Sequence, residues 1–292
     1  MTDLHGLGTA LVTPFKNDGS IDFDALKRLL DKQIAGKVDY IVVLGTTGEV
    51  ATLSEGERLQ VRTFIKDYIA GRLPLVLGVG GNNTAAVCET LRNADLDGFS
   101  AILSVCPYYN KPSQEGLFRH FCAIAEVSPL PVILYNVPGR TGVNLLPETV
   151  MRIYEAHPDK IYGIKEASGN IEQIKHLISL ASHSPQGGLL VISGDDGFAA
   201  EVMKAGGAGL ISVLSNAFPE EAGRLVRDAD LRLQAEMAPL ISLLFKEGNP
   251  SGIKTVLAQQ GVISNILRLP LVPNSPKVRI ELADELSAKR WL

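Results

Sequence analysis

Along this chain, short apolar runs rich in β-branched residues alternate with amphipathic stretches, and each run is followed by turn residues. The runs cover residues 9–15, 40–45, 74–80, 101–106, 131–137, 161–167, 189–194 and 209–215, which makes eight candidate strands. Their starts advance by roughly thirty residues until a shorter last step, about the length that one βα unit needs. Between them the apolar positions follow the helical period, as in 23–34 and 55–69. Strands apolar on both faces belong in a parallel sheet covered by helices, and eight successive βα units close most simply into a barrel. After residue 215 the pattern stays helical through 220–228, 231–245, 253–259 and 277–286, more helix than an eighth unit requires. The expected architecture is an α/β (β/α)8 TIM barrel over residues 1–226, with a C-terminal helical extension over 227–292 packed beside the barrel or at a subunit contact.

A doubly wound sheet is the alternative. It would carry a Gly-x-Gly-x-x-Gly turn after its first strand, and the nearest candidate, Gly78-Val79-Gly80-Gly81-Asn82-Asn83, ends in Asn. No Gly-x-x-x-x-Gly-Lys-Ser/Thr loop occurs either, so a nucleotide cofactor has no support. With 46% hydrophobic residues among 292, there is ample apolar material for a large core. The 28 basic and 32 acidic residues are spread without long single-sign runs, so neither nucleic acid nor an anionic membrane is an expected partner. Cys88, Cys106 and Cys122 form no Cys-x-x-Cys pair, and reduced thiols are expected rather than a disulfide framework or zinc ribbon. The opening Met1-Thr2-Asp3-Leu4-His5-Gly6 lacks the basic and apolar regions of a secretion signal, and no apolar run approaches a membrane span; the expected location is the cytoplasm.

In such a barrel the chemistry sits where strands end and βα loops begin. The sixth strand places Lys165 at the end of an apolar run, whereas most of the fourteen lysines lie in polar contexts where a solvated ammonium is the default. Burial disfavours an ammonium and frees the lone pair for attack on a carbonyl, so Schiff-base chemistry is the functional reading. The alternative is an ion pair with Glu166, which the alternation of strand side chains weakens. Tyr135 closes the adjacent fifth strand, where its phenol can move protons, although a strand tyrosine alone usually means packing. Gly45-Thr46-Thr47-Gly48-Glu49 ends the second strand with hydroxyls and amides able to hold a carboxylate; an ordinary turn with Ser54 capping the next helix is the alternative. Arg140, just past the fifth strand, is either a fork for a second carboxylate or a solvated surface residue. The aromatic loop Cys106-Pro107-Tyr108-Tyr109 alone suggests packing or an interface. Asp195 is expected to cap a helix rather than bind metal, because the five histidines show no ligand spacing.

Together, Gly45-Thr46-Thr47-Gly48-Glu49, Pro107-Tyr108-Tyr109-Asn110, Tyr135-Asn136-Val137-Pro138-Gly139-Arg140-Thr141 and Gly163-Ile164-Lys165-Glu166-Ala167 resemble the dihydrodipicolinate synthase family of pyruvate-dependent lyases over nearly the whole chain. The resemblance implies condensation of pyruvate with aspartate semialdehyde in lysine biosynthesis, through an imine on Lys165 and without metal or cofactor. It further implies proton transfer by Tyr135 with Thr46 and Tyr109, pyruvate held by Thr47 and by the backbone of Ile211, and Arg140 on the semialdehyde carboxylate. Tyr109 would reach in from a partner subunit, so that a homodimer, commonly a dimer of dimers, is implied.

One departure concerns regulation. Where lysine-inhibited members carry Ser, His, His and Glu, this chain has Val50, Glu55, Arg58 and Ala86, while Asn82 and Tyr108 match. Ala86 removes a carboxylate for the effector's ammonium, so weak or absent feedback by lysine is expected. Three readings compete with the synthase. A sialic-acid or keto-deoxy-sugar-acid lyase would use the same lysine and tyrosine, but Val137, Pro138 and Gly139 offer few groups for sugar hydroxyls. A non-catalytic keto-acid sensor would have no need of the whole relay, and a metal-dependent barrel enzyme lacks the ligands.

Overall fold

The structure is a computed structural model that describes residues 2–184, 186 and 188–289. Met1 and 290–292, the outermost positions of the expected division, lie outside the described residues. Eight strands form the predicted barrel: β1 Gly6–Ala10, β2 Tyr40–Val43, β3 Leu75–Gly78, β4 Ala101–Val105, β5 Val132–Asn136, β6 Ile161–Glu166, β7 Leu190–Ser193 and β8 Gly209–Ser212. Each pairs in parallel with the next, and β8 returns to β1 to close the cylinder. The helices in chain order are α1 Phe23–Ala35, α2 Glu55–Ile69, α3 Thr84–Asn93, α4 Gln114–Val127, α5 Pro138–Thr141, α6 Pro147–Ala156, α7 Ile171–Ser182, α8 Ala199–Lys204, α9 Pro219–Arg227, α10 Leu231–Phe245, α11 Ser251–Gln259 and α12 Pro276–Ala288.

The strands are apolar on both faces because alternate residues serve two cores. Tyr40, Val42, Val76, Leu103, Ile133 and Ile211 fill the barrel, while Ile41, Val43, Leu77, Ile102, Leu134 and Ile164 pack outward beneath the helices. Helix starts follow local chemistry: Ser54 and Glu57 form a reciprocal capping box on α2, as the sequence suggested for Ser54.

The first strand differs from expectation, beginning at Gly6 and ending at Ala10 instead of spanning 9–15. Its glycines hid it. A β-carbon on Gly8 would come 2.2 Å from the Tyr40 ring, so this position needs glycine although glycine weakens a strand signal. After Leu11, whose N–H still reaches the Val42 carbonyl, the backbone leaves the ladder: Val12 N–H donates to Asn216 and Phe15 bridges back to Ile21.

The C-terminal helices α10 to α12 cross the outside of the barrel and return to its loops. Asn249, in the turn before α11, and Lys254, within it, both contact the turn that follows β2. Among the described residues no helix is long and apolar enough to cross a membrane.

Candidate active site

Lys165 and Tyr135 are register partners on β6 and β5. Lys165 is 6% exposed and Tyr135 7%, and the Lys165 Nζ lies 4.4 Å from the centre of the Tyr135 ring. The alternative ion pair does not form. Glu166, the next residue, faces outward, is fully buried, and accepts hydrogen bonds from Asn136 Nδ2 at 2.9 Å, the Ser168 N–H at 2.8 Å and Gln173 Nε2 at 3.3 Å. Burial raises the Glu166 carboxyl pKa, and these donors oppose the shift. Among the described residues Lys165 makes no ion pair at all.

Gly194, at the end of β7, was not singled out by the sequence reading. A β-carbon there would lie 3.0 Å from Lys165 Cε and 2.6 Å from the Ala167 methyl, so the space beside the lysine chain depends on this glycine. The Asp195 expectation is met, since its carboxylate accepts the Gly197 N–H and caps the short turn Asp196–Phe198. The neighbouring Asp196 is buried and accepts from Ser212 Oγ at 2.5 Å and from the N–H groups of Val213 and Leu214 at 3.1 Å, fastening the turn after Ile211. Burial pushes its carboxyl up to about 6. Ile211 itself is fully buried in the barrel interior, in the same cluster as Tyr135.

The turn after β2 is a short 3-10 helix, Thr46–Gly48, followed by Glu49 in the left-handed region at φ 55°. Thr46 is half-buried and Thr47 is 3% exposed. Asn249 Nδ2 donates to Thr47 Oγ1 at 3.0 Å, leaving the threonine proton free to be given to a ligand. Arg140 projects from α5, a helix started by Pro138 and stopped by Gly142, and donates to the Asn249 carbonyl at 3.3 Å. One C-terminal residue therefore touches both predicted carboxylate binders. Lys254 is, beside Lys165, an exception among lysines that are mostly in polar contexts: it is fully buried and paired with Glu49.

Tyr109 is not part of this cluster within one chain. It stands 89% exposed on the loop after β4, with positive φ at both Tyr109 and Lys111, and among the described residues no hydrogen bond joins it to Thr46 or Tyr135. Among the described residues no three His, Cys, Asp or Glu side chains gather as a metal site. The cysteines are free, and burial, with Glu166 adding to it, pushes the Cys106 thiol up.

Asn249, Glu49 and Lys254 were missed because their partners lie some two hundred positions away in sequence. A lysine inside the apolar stretch Ile253-Lys254-Thr255-Val256-Leu257 was the available signal, the same one that exposed Lys165.

Against known proteins, the family model described as the dihydrodipicolinate synthetase family matches residues 3–289. A 4-hydroxy-tetrahydrodipicolinate synthase from Parabacteroides distasonis is 47% identical, with 98% of each chain covered. One from Flavobacterium psychrophilum is 50% identical over 91% of this chain and 92% of its own. The crystal structure of dihydrodipicolinate synthase from Thermotoga maritima superposes over 100% of both chains with a TM-score of 0.94 at 39% identity.

Proposed function

The chain belongs to the dihydrodipicolinate synthetase family, and from that membership we propose that the cluster around Lys165 carries out the condensation for which its relatives are named. The protein is a Schiff-base-forming lyase that joins pyruvate to L-aspartate 4-semialdehyde, giving 4-hydroxy-tetrahydrodipicolinate on the diaminopimelate route to lysine. The observation that carries the assignment of residues is a buried amine set against a tyrosine ring and, among the described residues, without a carboxylate partner.

The Lys165 amine adds to the pyruvate ketone carbon, and loss of hydroxide as water leaves an iminium. That cation withdraws electrons from the methyl group, a proton leaves, and the resulting enamine attacks the semialdehyde carbonyl, whose oxygen takes up a proton; the semialdehyde's own amine then adds to the iminium carbon and expels Lys165, closing the ring of the product. Tyr135 delivers the proton that expels water and serves again at the methyl carbon, with Thr46 and Tyr109 carrying the proton onward. Thr47 holds the pyruvate carboxylate beside the Ile211 backbone, and Arg140 takes the carboxylate of the semialdehyde through its fork. Tyr109 completes the relay from a second subunit; its exposure and the positive φ of its loop support this. The working assembly is a homodimer within a dimer of dimers, acting in the cytoplasm where its substrates are made.

A substrate panel tests this reading. Pyruvate with aspartate semialdehyde is expected to be consumed rapidly, while N-acetylneuraminate and keto-deoxy sugar acids are cleaved far more slowly. Faster cleavage of either sugar acid would overturn the assignment.

A further inference from the structure

We propose that Lys254 is a positioning residue for pyruvate, and that the C-terminal helical region is therefore part of the substrate site rather than an appendage. This rests on the assignment of Thr47 to the pyruvate carboxylate.

The turn Thr46–Gly48 ends in Glu49, a non-glycine residue in the left-handed region at φ 55° and ψ 33°, where a β-carbon is crowded. Local preference does not select that conformation, so something outside the turn has to hold it. The Glu49 carboxylate is 2% exposed and is gripped from the C-terminal region, by the Lys254 ammonium on one oxygen and by the Arg268 N–H at 3.1 Å on the other. Lys254 is in turn fixed: its Nζ donates to the Ile266 carbonyl at 3.0 Å and lies 4.2 Å from the centre of the Phe15 ring, against which the Arg268 guanidinium also packs. Five residues before Lys254, Asn249 donates to Thr47 Oγ1 and accepts from Arg140. The start of α11 thus holds the turn at both ends, at Thr47 and at Glu49. A buried ion pair is a poor way to gain stability, since hydrophobic residues of equal volume do as well, but it fixes two elements in one relative position. Here the elements are the pyruvate turn and α11, whose preceding turn also meets Arg140 through Asn249.

The test separates positioning from mere stability. Lys254→Met leaves Glu49 as an uncompensated buried charge and is expected to lower stability; Glu49→Gln with Lys254→Met removes both charges and is expected to restore most of it. In both, the pyruvate concentration giving half-maximal borohydride trapping is expected to rise about tenfold, with turnover at saturating substrates reduced much less. A stable double variant with the parental half-saturation would overturn the proposal. Should neither variant fold, Glu49→Gln alone decides between the same outcomes, since it weakens the contact to Lys254 while keeping the shape of the side chain. Mapping the adduct in the parent protein keeps the two ideas apart: trapping on Lys165 with unchanged pyruvate dependence in the variants defeats only the role of Lys254, whereas an unmodified Lys165 in the parent defeats the assignment beneath it.

Discussion

Lys165 and Tyr135 meet because parallel strands in register place equivalent positions side by side and the barrel turns both side chains inward. A phenol held this close to the amine suits proton transfer to and from carbons bonded to that nitrogen. Tyr135→Phe keeps the ring and removes the proton, so turnover is expected to fall by about 10²- to 10⁴-fold while the protein stays folded. Steady-state kinetics on the variant check this, and parental turnover would strip Tyr135 of its role. Both residues were visible in the sequence as unusual groups at the ends of apolar runs. Gly194 was not, since its function is to leave room beside Lys165, and a missing side chain gives no signal until its neighbours are known.

At the scale of elements, the strands were legible because each serves two apolar cores, and the boundaries of α10 and α11 fell within two residues of the hydrophobic pattern. The β1 start was obscured by Gly6 and Gly8, and the contacts made by α11 depend on tertiary approach that no local pattern encodes. The turn after β8 depends likewise on Asp196, whose carboxyl is pushed up to about 6 by burial. Because this value lies above that of an unfolded aspartate, the group's contribution to stability is complete below about pH 3.8 and is lost as pH rises through about 6. Glu57 acts in the opposite sense: the Arg268 guanidinium holds it down to about 2, so its contribution is present above about 4.5 and fades as pH falls toward 2. The stability of the parent relative to Asp196→Asn is therefore expected to decline between pH 4 and 6, by on the order of 3 kcal/mol at most. Thermal unfolding of the two proteins across that range measures it, and a gap that widens with pH would contradict the assignment of the shift to Asp196.

For the whole molecule, regulation follows from which surface groups are present around the loops joining β2 to α2 and β3 to α3. Asn82 donates to the Tyr108 carbonyl and Asn110 to that of Asn82, so the two positions that match lysine-inhibited members are held together. The Arg58 side chain is occupied with the Val50 carbonyl, and Ala86 stands exposed at the start of α3 without a carboxylate to meet an ammonium. Activity is expected to persist when millimolar lysine is titrated into the assay, and strong inhibition there would contradict this reading. The account as a whole depends on which nitrogen bonds to pyruvate, and among the described residues two lysines are buried, Lys165 and Lys254. Borohydride reduction in the presence of pyruvate, followed by peptide mapping, distinguishes them. The predicted result is a single adduct per chain on Lys165 with Lys254 unmodified; an adduct on Lys254, or none on Lys165, would contradict the mechanism.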